Sequence, residues 1–313
     1  MATNNSNDNT NRTTIKRTGR LRVAVLVTLA LSALGIGGIA PSVDAATTAY
    51  LRSNGTLVLS GDGSKETFDV SPDDNDPDNL LVTVYRGSSL VSRSSYPEES
   101  IKRIDARTRG GDDTVFLIDL DIPGSVTVDG GNGWNTVQLT RTMVGGKLTV
   151  KDSAGLAVVH LHDSWMRGGT LINGGNDLLQ IFASGTAFSG RTDIKVSGSN
   201  GRMSTSFRNN QFNGETKILG ANKIDKVSIT DGGAAAGRVT VDLKGGTDEL
   251  QILGHDFRNV VNVKMGNGND VVDVWASRFR RSTTFNGNAG RDQIHGEGNN
   301  FQGPTRVLSF EVQ

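Results

Sequence analysis

Six aspartates recur behind glycine-rich turns: Asp113, Asp177, Asp225, Asp248, Asp270 and Asp292. Asn135 takes the same slot once, and Ala157 and Met203 fill it in two degenerate copies. Apolar residues follow at alternate positions, as in Asp113-Thr-Val-Phe-Leu, Asp248-Glu-Leu-Gln-Ile and Asp270-Val-Val-Asp-Val. Carboxylates stacked about 5 Å apart repel by up to a few kcal/mol at an effective dielectric near ~20. A calcium ion, which accepts about six to eight oxygens at flexible geometry, would relieve that repulsion. The alternative is a set of turn caps, each side chain accepting backbone N–H bonds from its own glycine turn. Asn135 serves that role as well as aspartate does.

Other reactive groups are sparse. There is no cysteine, hence no thiol nucleophile. Of the four histidines, His160, His162, His255 and His295, two (His160 and His295) fall on an outward column with Gln138, Gln180, Ser228, Gln251 and Asp273. Asp270, Asp273, Asp292, His295 and Glu297 form the one cluster that could supply the acid and base of a polysaccharide-cleaving site. Asp74, Asp76 and Asp78 alternate as an EF-hand loop begins, but the turn glycine is missing and Tyr85 stands twelfth. That pattern suits a solvated loop.

The elements that position these groups follow from the spacing. Successive slots lie about 22 residues apart, with intervals of about 20 and 26 on either side of Asp177. A near-constant period makes each copy one turn of a solenoid. A short alternating strand precedes each turn, as in Ser125-Val-Thr-Val, Lys147-Leu-Thr-Val and Arg238-Val-Thr-Val, and a second follows the anchor. Alternation sends one set of side chains inward and the other into water. The spacing therefore predicts an all-β parallel β-helix over residues 110–313, with coils of about 22 residues. Residues 46–109 read as an N-terminal β cap, with Leu57 to Val70 as a first isolated copy and Leu80 to Tyr85 as a strong strand. That strand pairs either with Leu90 to Ser94 or with Ile101 to Ala106. Met143, Met166, Phe188, Phe212, Phe257, Phe279 and Phe301 make a second ladder, with Ala235 in its gap. It is read as an internal ring stack, with a platform for sugar rings as the other use.

Gly130-Gly-Asn-Gly-Trp-Asn-Thr-Val, Gly266-Asn-Gly-Asn-Asp-Val-Val and Gly287-Asn-Ala-Gly-Arg-Asp-Gln-Ile resemble the hemolysin-type (RTX) calcium-binding repeat. The resemblance implies an exported bacterial repeat protein that holds calcium between turns. It assigns Asp270 and Asp292 as ligands, with Asp248 in a shortened turn beside them. The motif occurs here once per coil of about 22 residues, which points to a β-helix wider than that family's roll.

Residues 1–45 read as an export signal: basic residues from Arg12 to Arg22, an apolar run from Val23 to Ala40, and small residues Val43 and Ala45 before a cut at Ala46. An uncleaved anchor is the alternative. The full chain carries 33 basic and 33 acidic residues, and loss of residues 1–45 leaves a net charge of about −3. No basic stripe marks the repeats, which argues against nucleic acid as a partner. The resulting expectation is a secreted or surface-exposed, non-catalytic structural, binding or adhesion module whose partner is an extracellular polymer or protein. The alternative is a polysaccharide-active lyase or hydrolase, which needs a groove where long loops break the period.

Overall fold

Alternation of apolar and polar residues decides the architecture. The computed structural model describes residues 46–311, so the expected export signal lies outside the described residues. The chain winds into a parallel β-solenoid of about nine coils. One coil consists of strands Val126–Asp129, Asn132–Thr140 and Met143–Val144; the next repeats them as Leu148–Lys151, Ala154–His162 and Trp165–Met166. Each strand pairs in parallel with its counterpart one coil on, for example Val128 with Val150 and Leu139 with Leu161. Inward residues such as Val126, Val128, Val137 and Leu139 are buried at 0–3% exposure and form one continuous core along the rod.

The N-terminal strands are β1 (Thr48–Leu51), β2 (Thr56–Ser60), β3 (Glu66–Asp73), β4 (Asp76–Arg86), β5 (Ser89–Pro97), β6 (Arg103–Arg107) and β7 (Thr114–Ile118). β2 and β3 form the first coil, stacking in parallel on β6 and β7. β1 lies antiparallel on β2, and the β4–β5 hairpin lies antiparallel on β3. These strands cover the first coil at this end, so that the outer sheet edges become the four-residue β1 and the Ser- and Arg-containing β5, which are poorer templates for aggregation. Leu80 to Tyr85 thus pairs with Leu90 to Tyr96 on one side and with β3 on the other. Asp74 lies in the turn that leads into β4, and Asp76 and Asp78 sit in the first residues of β4. At the other end Phe310 packs against the core, while Phe301, Val307 and Leu308 remain 40–46% exposed.

Two register assignments differ from the sequence reading. Leu179, not Asp177, pairs with Ala157 and Met203, and Asp177 lies two residues before the slot on the exposed turn. The irregular intervals around Asp177 thereby resolve into 22 residues from Ala157 to Leu179 and 24 from Leu179 to Met203. The extra length sits in the Ser197–Gly201 turn. With that shift Phe182, rather than Gln180, joins the outward column of Gln138 and His160. Likewise Val144, not Met143, pairs with Met166 in the inner ladder.

The rings of that ladder are internal. Phe188 and Phe212 stack at 5.1 Å, Phe257 and Phe279 at 5.0 Å, and Phe279 and Phe301 at 4.8 Å, with interplanar angles of 6–11°. Phe188, Phe212, Phe257 and Phe279 are 0–2% exposed, so the sugar-platform use is excluded for them. At Ala235 the column lacks a ring, and the buried imidazole of His255 fills in, 4.6 Å from Phe257 and 6.3 Å from Phe212. Parallel stacking follows from the coil repeat, which brings identical positions to ring-contact distance.

Candidate functional site

The recurring carboxylates form one buried column at the corner before each long strand. Glu66 begins it, followed by Asp113 and Asn135, then by Ala157, Leu179 and Met203, then by Asp225, Asp248, Asp270 and Asp292. The acidic members are 0–2% exposed. Each side chain reaches back one coil and accepts the backbone N–H of the residue before it in the column. The Met203 N–H donates to Asp225 at 2.6 Å, Asp225 to Asp248 at 2.8 Å, Asp248 to Asp270 at 2.8 Å and Asp270 to Asp292 at 3.0 Å. Glu66 donates to Asp113 and Asp113 to Asn135 in the same way. From Asp113 onward these are caps between coils; Asp225 also takes the Ala221 N–H of its own turn at 2.9 Å, as Glu66 takes that of Asp62 at 3.2 Å. A buried N–H left without its acceptor costs about 1–3 kcal/mol, which is why the slot demands an oxygen where the turn leaves the ladder.

Burial sets the charge state of the column. It pushes Asp248 up to about 8, with the flanking charges of Asp225 and Asp270 adding to the rise. Burial also raises Asp225 to about 6, Glu66 to about 8, and Asp113 and Asp270 above the usual carboxylate range. The glycine turns close over the site: a Cβ on Gly268 would collide with the Gly246 carbonyl, and the backbone there adopts φ +148°.

Calcium requires an oxygen cage. One oxygen of each of Asp248, Asp270 and Asp292 is committed to a backbone N–H, and the second is buried without a protein partner. Among the described residues, no three side chains of ligand type converge on a common point. As placed, the column does not fit a calcium cage; burial of Asp248 and Asp270 instead favours their protonated forms.

Of the three slots without an oxygen, Ala157, Leu179 and Met203, the first admits a neighbouring carboxylate. Ala157 leaves space, and Asp152, in the preceding turn of the same coil, turns into the corner and accepts the Asn135 Nδ2 bond at 2.8 Å. Burial raises Asp152 to about 6. In the coils with a larger slot residue the Asp152 position is often glycine, because a Cβ on Gly130 would meet Asn135 and one on Gly174 would meet Leu179. Asp152 was not singled out by the repeat pattern, although its exchange with Ala157 was readable as a pair of compensating departures.

A second polar ladder at the opposite corner also escaped the sequence reading. Thr142 Oγ1 accepts the Leu120 N–H, Ser164 that of Thr142, Asn210 that of Thr186, Ser277 that of His255 and Asn299 that of Ser277. The mixture of Thr, Ser and Asn hides its common role. His255 belongs to this corner: its Nδ1 contacts the Gly232 carbonyl at 3.0 Å, and burial lowers its proton affinity.

The nominated catalytic cluster divides between two faces. Asp270 and Asp292 point into the buried column, whereas Asp273 and His295 lie on the outer surface with Nδ1 and Oδ1 3.0 Å apart. Glu297 is exposed. On the same outer face His160 stacks on Phe182 at 5.1 Å and lies 6.0 Å from His162.

Taken together, the parallel register and the two corner ladders define a parallel β-solenoid built from coils of about 22 residues. Comparison with protein-family models, curated proteins and solved structures gives no match, and the relation to hemolysin-type repeats stays a likeness of motif.

Proposed function

We propose that this chain is an exported, non-catalytic β-solenoid acting as a structural or binding module at the cell surface or outside the cell. The near-constant coil carries this reading. From Val126 to Phe279 the longest departures are the Ser197–Gly201 turn and a bulge at Asp231 and Gly232, and both leave the three strand ladders continuous. Such a rod offers long lateral faces of repeated spacing, suited to an extended polymer or a protein partner. Ion pairs between coils, such as Lys226 with Glu249 at 2.7 Å and Arg280 with Asp256 at 2.8 Å, hold the faces ordered and polar. Exposed pairs of this kind contribute only about 0–1 kcal/mol each, so their main effect is on the surface.

A panel of extracellular polysaccharides and surface proteins, assayed for binding and for cleavage products in parallel, tests the proposal. Binding without new reducing ends or unsaturated sugars is the expected result. The Asp273–His295 pair favours the second reading, a polysaccharide-active enzyme. Turnover abolished by Asp273→Asn would establish that reading instead.

The carboxylate column serves this module as a set of inter-coil caps. Millimolar calcium is therefore expected to leave the melting temperature unmoved, since only a ligand bound to the folded state raises it. A rise that Asp270→Asn removes would place an ion between Asp270 and Asp292 and reinstate the calcium chemistry of the hemolysin-type repeat.

A further inference from the structure

At the capped end, the outer face of β1, β2 and β6 is not flat. The register lines up Tyr50, Val58 and Asp105 in one row, and Thr48, Ser60 and Arg107 in the next. The central strand carries the short side chains Val58 and Ser60, and Tyr50, Asp105 and Arg107 rise beside them from the flanking strands. The result is a trough of about 430 Å³ whose walls include Tyr50, Arg52, Asp105, Arg107 and Arg109. Val58, although on the outer face, is 7% exposed and forms an apolar floor, whereas Tyr50 is 43% exposed. Three guanidinium groups and one carboxylate give the trough a surplus of positive charge in a chain whose formal charge is zero.

The cations are unevenly matched. Arg107 is paired with Asp105 through Nε and Nη2, both at 3.2 Å. Arg52 donates to the Tyr50 hydroxyl at 3.3 Å, and its guanidinium carbon lies 5.8 Å from the ring centre. Among the described residues neither Arg52 nor Arg109 makes an ion pair within 4 Å, although the charge of Asp105 acts on Arg52. Guanidinium groups held this way present a planar fork that matches a carboxylate.

We propose that this trough binds a carboxylate-bearing sugar, a uronate unit of an acidic polysaccharide. The claim rests on the reading of the chain as a polymer-binding module and names the polymer's class. Arg52 and Arg109 favour an anion. An apolar sugar face is accommodated by Val58 and the open side of Tyr50, as aromatic rings pack against C–H surfaces. Sugar hydroxyls find an acceptor in Asp105, whose negative charge also disfavours a compact dianion such as phosphate. Ligand sites commonly enclose about 300–1,000 Å³, so the trough holds a short oligosaccharide segment rather than a whole chain.

Isothermal titration of the purified full chain with a trigalacturonate tests the idea, with neutral galactotriose and inorganic sulfate as the comparison ligands. The uronate is expected to bind, galactotriose to fail at the same concentration, and sulfate to compete only weakly. Arg52→Gln and Arg109→Gln are each expected to weaken binding about tenfold or more while thermal melts stay unchanged. Tyr50→Ala is expected to weaken it as well. No binding, equal binding of the neutral sugar, full competition by sulfate, or arginine variants that bind as well as the parent would each overturn the proposal. The wider reading fails differently: it falls if polymers are cleaved, and it survives if polymers bind regardless of the trough variants.

Discussion

Phe257→Ala is expected to destabilise the protein by about 3–5 kcal/mol, the range for removing a large aromatic side chain from a packed core. Phe257 is 1% exposed, stacks on Phe279 at 5.0 Å and touches His255 at 4.6 Å. Its removal breaks the ring column next to the coil where Ala235 already contributes no ring, and it strips one wall from a buried imidazole. The coils have few ways to close the gap, because backbone hydrogen bonds fix the spacing between neighbouring coils on both sides. Denaturant titration of parent and variant measures the loss. Phe301→Ala supplies the internal comparison and should cost less, since that ring is 40% exposed and has a stacking partner on one side only. A loss below about 1 kcal/mol for Phe257→Ala would show that the ring is not a core member.

The repeat made the fold legible from sequence because a parallel solenoid writes its register into a period. The steps from Asp225 to Asp292 were read without error, since the acidic slot and the first apolar position agree in each coil, and the second agrees in all but the last, where Gly296 stands. The error at Asp177 has a physical origin. Leu178, Leu179 and Ile181 offer apolar residues compatible with two alignments, and a nearby aspartate drew the anchor two residues early. Hydrogen-bond register, which sequence does not display, selects Leu179. Met143 and Val144 raised the same ambiguity, as adjacent apolar residues of which only one can face inward. The inter-coil role of the carboxylates was hidden for a different reason. A cap on its own turn and a cap on the neighbouring coil require the same residue type at the same place. Asp152 and the Thr-Ser-Asn corner depend on compensation across coils and carry no constant letter. The trough at the N-terminal end was harder still, because it arises from an antiparallel strand outside the period, which lines up Tyr50 with Val58 and Asp105 and brings Arg52 and Arg107 into one trough.

Stability should decline as pH rises across the neutral range, and Asp248 should account for much of the slope. Its folded-state pKa stands at about 8, above the ordinary value of 3.8, because burial penalises the carboxylate and Asp225 and Asp270 face it from the adjacent coils. An unfolded chain gives up this proton near its ordinary value, whereas the folded chain holds it until about pH 8. Between those limits the folded state binds the extra proton, so each rise in pH favours unfolding. The contribution is complete below the unfolded value and is lost as pH climbs through the folded one. Asp225 and Asp152, each raised to about 6, and Glu66, raised to about 8, act with the same sign. Lys244 moderates Asp225 by its positive charge. Burial lowers the proton affinity of His255 and His160, which act with the opposite sign below their ordinary value of 6.5, so the fall in melting temperature, by several degrees, is expected between about pH 6.5 and pH 8. Asp248→Asn retains an oxygen for the Asp225 N–H, as Asn135 does for Asp113, but cannot ionise. The variant should melt with a shallower pH dependence and should exceed the parent at the alkaline end. Parallel melts of both proteins across that range decide the matter: identical slopes would mean that Asp248 titrates normally and that its burial carries no proton-linked cost.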